Sequence, residues 1–227
     1  MEWVKTMIIN DTKYKLYMDV KGYDDDVKNH IEKNISYIPQ NITKIGDGVF
    51  AQTSSDYMFG DIILPNEITH IGNYAFYQCI GIENLTLPSS LEYIGEYAFS
   101  ECSHMNIQII PNSVTYIGKY AFNGCREIYE LQMSENITFL GNGSFANCKN
   151  LKTMDLSHCN LLTTIDTYAF GYCKEMTDIV IPSSVTSIGS LCFSGCDKLT
   201  TITINKPKDS ISGAPWSAPN ATIIWNG

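Results

Sequence analysis

Short stretches in which every second residue is Leu or Ile recur along the chain and stop at proline, as in Leu85-Thr86-Leu87-Pro88 and Ile179-Val180-Ile181-Pro182. A period of two places alternate side chains on one face, so each stretch predicts a short β-strand with one buried side. Proline ends it, because a residue without an N–H cannot continue a backbone ladder. Seven residues after the proline stands a glycine: Pro39 and Gly46, Pro65 and Gly72, Pro88 and Gly95, Pro111 and Gly118, Pro182 and Gly189 keep that count. A glycine at a fixed point predicts either a bend with positive φ or a backbone approach too close for a side chain. Asp166 takes this place in one copy, and aspartate tolerates the left-handed region better than most residues.

The glycine belongs to a longer phrase. Ile-Gly-x-x-Ala-Phe, or a close variant, ends at Phe50, Phe76, Phe99, Phe122, Phe145, Phe170 and Phe193, with spacings of 26, 23, 23, 23, 25 and 23 residues. Seven copies at a period near 23 predict a solenoid. A length of 227 residues alone allows one large domain or two small ones; the repeat favours a single array. Within each coil the alanine is small enough to pack against the next coil and the phenylalanine fills the interior, so successive rings form an aromatic spine. Cys79, Cys102, Cys125, Cys148, Cys173 and Cys196 each follow their phenylalanine by three residues, which leaves only Cys159 and Cys192 of the eight cysteines outside the repeat. One inward cysteine per coil reads as a small buried hydrophobe. Neighbouring rungs also bring thiols near enough for a disulfide to be the alternative, while no paired Cys-x-x-Cys spacing points to a metal.

The phrase Ile-Pro-x-Ser-Val-Thr-x-Ile-Gly-x-x-Ala-Phe-x-x-Cys-x-x-Leu-Thr-x-Ile, followed closely over residues 181–202 and again over 111–125, resembles the consensus of BspA-type leucine-rich repeats. The resemblance spans about residues 36–205. It implies a single right-handed leucine-rich-repeat solenoid, and a protein similar to surface-exposed adhesins of bacteria and some protozoa, with related repeats in phage tail proteins. It therefore implies binding rather than catalysis, and a cell-surface or extracellular place. No secretory pattern is visible in the charged opening residues 1–10, which leaves unconventional export, a phage particle or a truncated form open.

A solenoid must close both ends of its core. Residues 1–35 are expected to form an N-terminal cap, with a hairpin about Asn10-Asp11 and a short helix beginning at Asp24-Asp25-Asp26 and carrying Val27 and Ile31. Residues 36–205 form the array, with a polar loop at 52–56, and residues 206–227 a C-terminal cap. There Thr222-Ile223-Ile224-Trp225 pairs with the last coil, and Trp216 is either a cap side chain or a ligand-stacking residue.

Composition narrows the function. At 44% hydrophobic and 17% charged residues the chain can bury a core, and its apolar runs are too short to span a membrane. A net charge of −9 argues against nucleic acid, which needs clustered Lys and Arg. The four histidines at 30, 70, 104 and 158 occupy different repeat positions and share no spacing that suggests a triad or a metal cluster. No catalytic residue, metal ligand or cofactor is therefore assigned. The triplets at Asn84 and Asn136 fit the glycosylation pattern but mean little without an export route.

Leucine-rich repeats usually bind through the strand face. Counting back from the proline, its outward positions are Asp61, Ile63, Asn84, Thr86, Ile107, Ile109, Glu130, Gln132, Thr153, Asp155, Asp178, Val180, Thr201 and Thr203. The ten from Asn84 to Val180 form the candidate ligand-binding set. The third repeat breaks the pattern: its count puts Gln108 inward and both Ile107 and Ile109 outward. Either this is an apolar contact patch, or a one-residue slip buries both isoleucines and exposes Gln108. The expected function is recognition of a protein or glycan ligand in adhesion or host contact; the alternative is a structural spacer or assembly module with contacts through its caps or edges.

Overall fold

The computed structural model describes residues 3–9, 12–18, 43–51 and 60–227. The expected helix near residues 24–31, the turn at Asn10-Asp11, the loop at 52–56 and the side chain of Asp61 lie outside these residues. Strands β1 (Trp3–Ile9) and β2 (Thr12–Met18) pair antiparallel. Over residues 43–51 and 60–227 the chain winds as a parallel β-solenoid, without a helix among the described residues. No described helix is long and apolar enough to cross a membrane.

The coils place their strands in two positions. One is closed by proline after β4 (Gly60–Ile63), β6 (Ile82–Thr86) and β12 (Asp178–Ile181), and also includes β10 (Thr153–Asp155), β14 (Thr201–Ile204) and β15 (Thr222–Trp225). Strands β10, β12, β14 and β15 form one parallel sheet, and β4 pairs with β6. Between these two sheets the isolated bridge Asn84↔Asn106 links the second coil to the third and Ile109↔Gln132 links the third to the fourth, and Lys152 N donates to Tyr129 O between the fourth and fifth. The second position precedes the glycine: β3 (Lys44–Ile45), β5 (His70–Ile71), β7 (Tyr93–Ile94), β8 (Tyr116–Ile117), β9 (Phe139–Leu140), β11 (Thr164–Ile165) and β13 (Ser187–Ile188) form a seven-stranded parallel sheet. This second ladder was not among the expected elements. Two residues, one inward and one outward, are too few to show a period.

The core is a set of columns along the array. Ile71, Ile94, Ile117, Leu140 and Ile165 form one wall at 0% exposure, and the phenylalanines form the spine that the repeat predicts. Their rings stack at 5.0–5.3 Å from Phe50 to Phe145, widening to 5.9 and 6.0 Å at Phe170 and Phe193. All eight cysteines are buried free thiols. The six repeat cysteines do more than fill space: Cys102 Sγ donates to Phe76 O at 3.0 Å, and Cys125, Cys148, Cys173 and Cys196 repeat this contact with the preceding coil at 3.0–3.3 Å. Each thiol thus gives a buried carbonyl a second donor.

The glycines after the proline serve close approach, not positive φ. A Cβ on Gly118 would meet Glu96 N and Gly95 C at 2.7 Å, and Gly72 and Gly95 are crowded in the same way. Left-handed backbone falls instead two residues later, at Gly48, Tyr74, Tyr97, Tyr120, Gly143 and Tyr168. The reason offered above for Asp166 therefore fails, since its φ is not positive. Its carboxylate instead accepts the Thr167 N–H at 2.6 Å, in a coil whose ring stands 5.9 Å from the one before.

At the C-terminal end the repeat persists in degenerate form. Ile211 and Trp216 stand 23 residues after Ile188 and Phe193, and both are buried. Phe193 N donates to Trp216 O at 3.1 Å, and the indole N–H finds Ser212 O at 2.8 Å. Trp216, 1% exposed, thus closes the core at this end and has no face left for a ligand. Strand β15 pairs with β14 and ends that sheet.

Candidate functional site

Asn84 and Thr86 stand on β6, Thr153 and Asp155 on β10, and Asp178 and Val180 on β12, while Glu130 and Gln132 lie on the matching stretch of the fourth coil, outside the named strands. Asn84, Thr86, Glu130, Gln132, Thr153 and Asp155 are exposed, while Asp178 and Val180 are half-buried. Asp155 is held below the usual carboxylate range by the Ser157 hydroxyl and N–H, the latter donating to its Oδ1 at 2.8 Å.

Ile107 does not belong to this face. It is 1% exposed, whereas Gln108 is exposed and Ile109 is 54% exposed. Both expectations for the third repeat are thus corrected in part: there is a slip, and it carries one isoleucine inward and leaves the other out. In the fourth coil two outward residues, Tyr129 and Glu130, precede inward Leu131, followed by outward Gln132 and inward Met133. In the third, Asn106 alone precedes inward Ile107, and Gln108 with Ile109 forms the outward pair before inward Ile110. The extra outward residue has moved towards the proline. Burying an isoleucine is worth about 1.5–3 kcal/mol, and an inward glutamine amide without partners would cost a comparable amount. Backbone pairing survives on both sides, through Asn106 N to Glu83 O at 2.6 Å and Ile110 N to Gln132 O at 2.9 Å.

Two hollows open beside this slip. One of about 550 Å³ has Glu83, Asn84, His104 and Glu127 in its wall. The other, about 640 Å³, is lined by Gln108, Ile109, Glu130, Gln132, Asp155 and His158 among others. Asn106 and Tyr129 line both. The structure therefore gathers Asn84, Ile109, Glu130, Gln132, Thr153 and Asp155 about one region, while Thr86, Asp178 and Val180 lie outside the two hollows. Sequence reasoning missed Tyr129, His104, His158 and Glu127. They sit on the turn into the strand or, for His158, beyond it, so alternation did not reach them. Glu127 accepts the Tyr129 hydroxyl. His104 Nδ1 and His158 Nε2 donate to Ile80 O and Met133 O at 2.9 and 3.0 Å. The imidazoles are thereby tied to backbone, and among the described residues no three His, Cys, Asp or Glu side chains cluster as metal ligands.

A second surface carries aromatics. His70, Tyr93, Tyr116 and Phe139 form one column on the seven-stranded sheet, with ring separations of 5.0–5.8 Å. Tyr74, Tyr97 and Tyr120 form another on the turns, at 4.8 and 5.1 Å. These rings lie face to face along the array, so each covers its neighbour's π-face and mainly edges meet solvent. Such columns stabilise neighbouring coils.

Comparison with known proteins agrees with this architecture. The family model for the BspA type leucine rich repeat region matches residues 28–152 and 104–217 in six copies. A leucine rich repeat protein of T. pallidum superposes with a TM-score of 0.62 at 23% identity, covering 71% of this chain and 76% of its own. One from Bacteroides ovatus superposes at 0.51 with 21% identity, over 83% of this chain and 58% of its own length, so the present chain spans a little over half of that protein. A leucine rich cell surface protein from Faecalibacterium prausnitzii is more distant, with a TM-score of 0.37 and 18% identity over 82% of this chain and 83% of its own. No curated protein sequence matches significantly. With its 23-residue coils, phenylalanine spine and cysteine ladder matched by that model over most of its length, the chain belongs to the BspA-type leucine-rich repeat family.

Proposed function

We propose that this is a non-enzymatic recognition protein that holds a protein or glycan ligand against its strand face, in adhesion or host contact at a cell surface. The observation that carries this reading is the pair of hollows where the third repeat departs from the others. The phenylalanine and cysteine columns continue through this coil, so the departure is confined to the strand wall and the surface outside it. The resemblance to BspA-type repeats supports the reading of surface adhesion. Replacing Glu130, Thr153, Asp155 and Asp178 by alanine should weaken attachment of the protein to its target cells or matrix by at least about tenfold in a surface-binding assay, with the thermal midpoint unchanged. Variants that attach as well as the parent would show that the face is wrong.

The alternative role as a spacer or assembly unit is favoured by one feature, the terminal position of β15 in its sheet. An edge strand is a template for pairing with another chain. Concentration-dependent growth in light scattering, abolished by Ile224→Lys on β15, would support assembly over ligand capture.

A further inference from the structure

We propose that the two hollows form one cleft for an extended basic polypeptide segment, a Lys- or Arg-bearing stretch of a partner protein laid across the third to fifth coils. The proposal rests on the reading of the strand face as the binding surface and names the chemistry it recognises. Four carboxylates, Glu83, Glu127, Glu130 and Asp155, line the hollows, and among the described residues no Lys or Arg does. The cleft is therefore complementary to cations, in a chain whose net charge of −9 adds a field of the same sign.

Its uncharged groups suit a peptide. Ile109 and Tyr129, 54% and 42% exposed, are apolar contacts for the alkyl stems of lysine and arginine, and an aromatic ring attracts a cation over its face. The side-chain amides of Asn106, Gln108 and Gln132 make no hydrogen bond among the described residues, which leaves donors and acceptors for a peptide backbone. Asn106 is half-buried at the junction of the hollows, where the slipped register has drawn Ile107 inward beside it. An anionic glycan would be repelled by the same carboxylates, and a neutral one would desolvate them without returning a charge.

The test uses the intact chain and fluorescence anisotropy in about 0.15 M salt, with three labelled probes: a peptide of repeated Lys-Val-Ser, its Glu-Val-Ser counterpart, and a neutral glucan hexasaccharide. The lysine peptide should bind at least about tenfold more tightly than either of the others. Glu127→Gln with Glu130→Gln should weaken it about fivefold. A control pair on exposed seventh-coil and C-terminal residues, Asp197→Asn with Asp209→Asn, removes the same charge and should change it less than about twofold. Equal loss in both pairs would overturn the proposal, since attraction would then come from the whole chain and not from the cleft. Binding of the hexasaccharide in place of the lysine peptide would overturn the choice of occupant and leave the strand face intact as a binding surface. Binding of no probe would overturn the cleft, while cell attachment by the Glu130, Thr153, Asp155 and Asp178 variants decides the face separately.

Discussion

Gly118→Ala separates two explanations of the repeat glycine by the sign of its effect. Gly118 does not have positive φ, so on conformational entropy alone alanine should stabilise the fold by about 0.4–1 kcal/mol. The structure predicts the opposite. The new methyl would sit 2.7 Å from Glu96 N and Gly95 C and 2.9 Å from Gly95 O, all backbone of the preceding coil. Ordinary contact begins near 3.4 Å, so the coils must part locally by about 0.7 Å. That would stretch the Gly118 N to Ile94 O hydrogen bond from its present 2.9 Å beyond bonding range. Loss of one buried hydrogen bond, at about 1 kcal/mol, and overpacking, at about 1–3 kcal/mol, outweigh the entropic gain, and the net is a destabilisation of about 2 kcal/mol. Urea unfolding followed by far-ultraviolet circular dichroism should show a lower midpoint at unchanged slope. Gly48→Ala is the counterpart: nothing lies within 4 Å of its added methyl, but its φ is +63°, so it should cost only about 1 kcal/mol. A Gly118→Ala protein at least as stable as the parent would refute close approach as the reason for the glycine.

Three further outcomes are expected. Ser144 occupies the alanine position of its coil at 0% exposure, and its hydroxyl has no partner among the described residues; Ser144→Ala should raise the stability by about 1 kcal/mol in the same urea assay. Ile107→Asn should cost about 3 kcal/mol and Ile109→Asn less than about 0.5 kcal/mol, and equal losses would contradict the slipped register. Burial pushes the Cys159 thiol up to about 12, and Cys148 upward too, whereas thiols in the unfolded chain ionise near about 8.5. The folded state holds them neutral, so this contribution is complete below about pH 8.5 and is lost as pH rises towards 12. The urea midpoint should fall between pH 8 and 11, less steeply in Cys159→Ala, and a disulfide reagent at pH 8 should label the thiols only after unfolding.

What was legible in the sequence was whatever the period repeats. Phe99, Phe122 and Cys125 could be placed in the core because each coil faces the same surroundings as its neighbours, so one residue's burial is witnessed by others at the same position. The outward sides of β7 and β8 were not legible, because Tyr93 and Tyr116 stand beside a single inward Ile in strands of two residues. Tyr74, Tyr97 and Tyr120 were hidden for another reason. They take φ values of 52–56°, at a cost of about 1 kcal/mol or more each, which the stacked rings offset; only Gly48 and Gly143 in the same column reveal the conformation. On the candidate face, alternation placed Glu130 and Asp155 outward but misassigned Ile107. Counting from the proline presumes that the extra outward residue stays in one place, and the burial of an isoleucine was enough to move it.

That displacement has a consequence for how such a surface can diversify. Where a coil carries both, the cysteine stands nine residues before the proline, as in Cys79 and Pro88, Cys102 and Pro111, and Cys173 and Pro182, and the interior fixes both ends. The one freedom left is where, between them, the spare residue protrudes. Sliding it by two places leaves repeat length, spine and thiol ladder untouched, yet it changes the relief of the outer wall. Mutation can therefore reshape the contour of a single rung in an otherwise regular array, adjusting topography separately from the letters displayed on it.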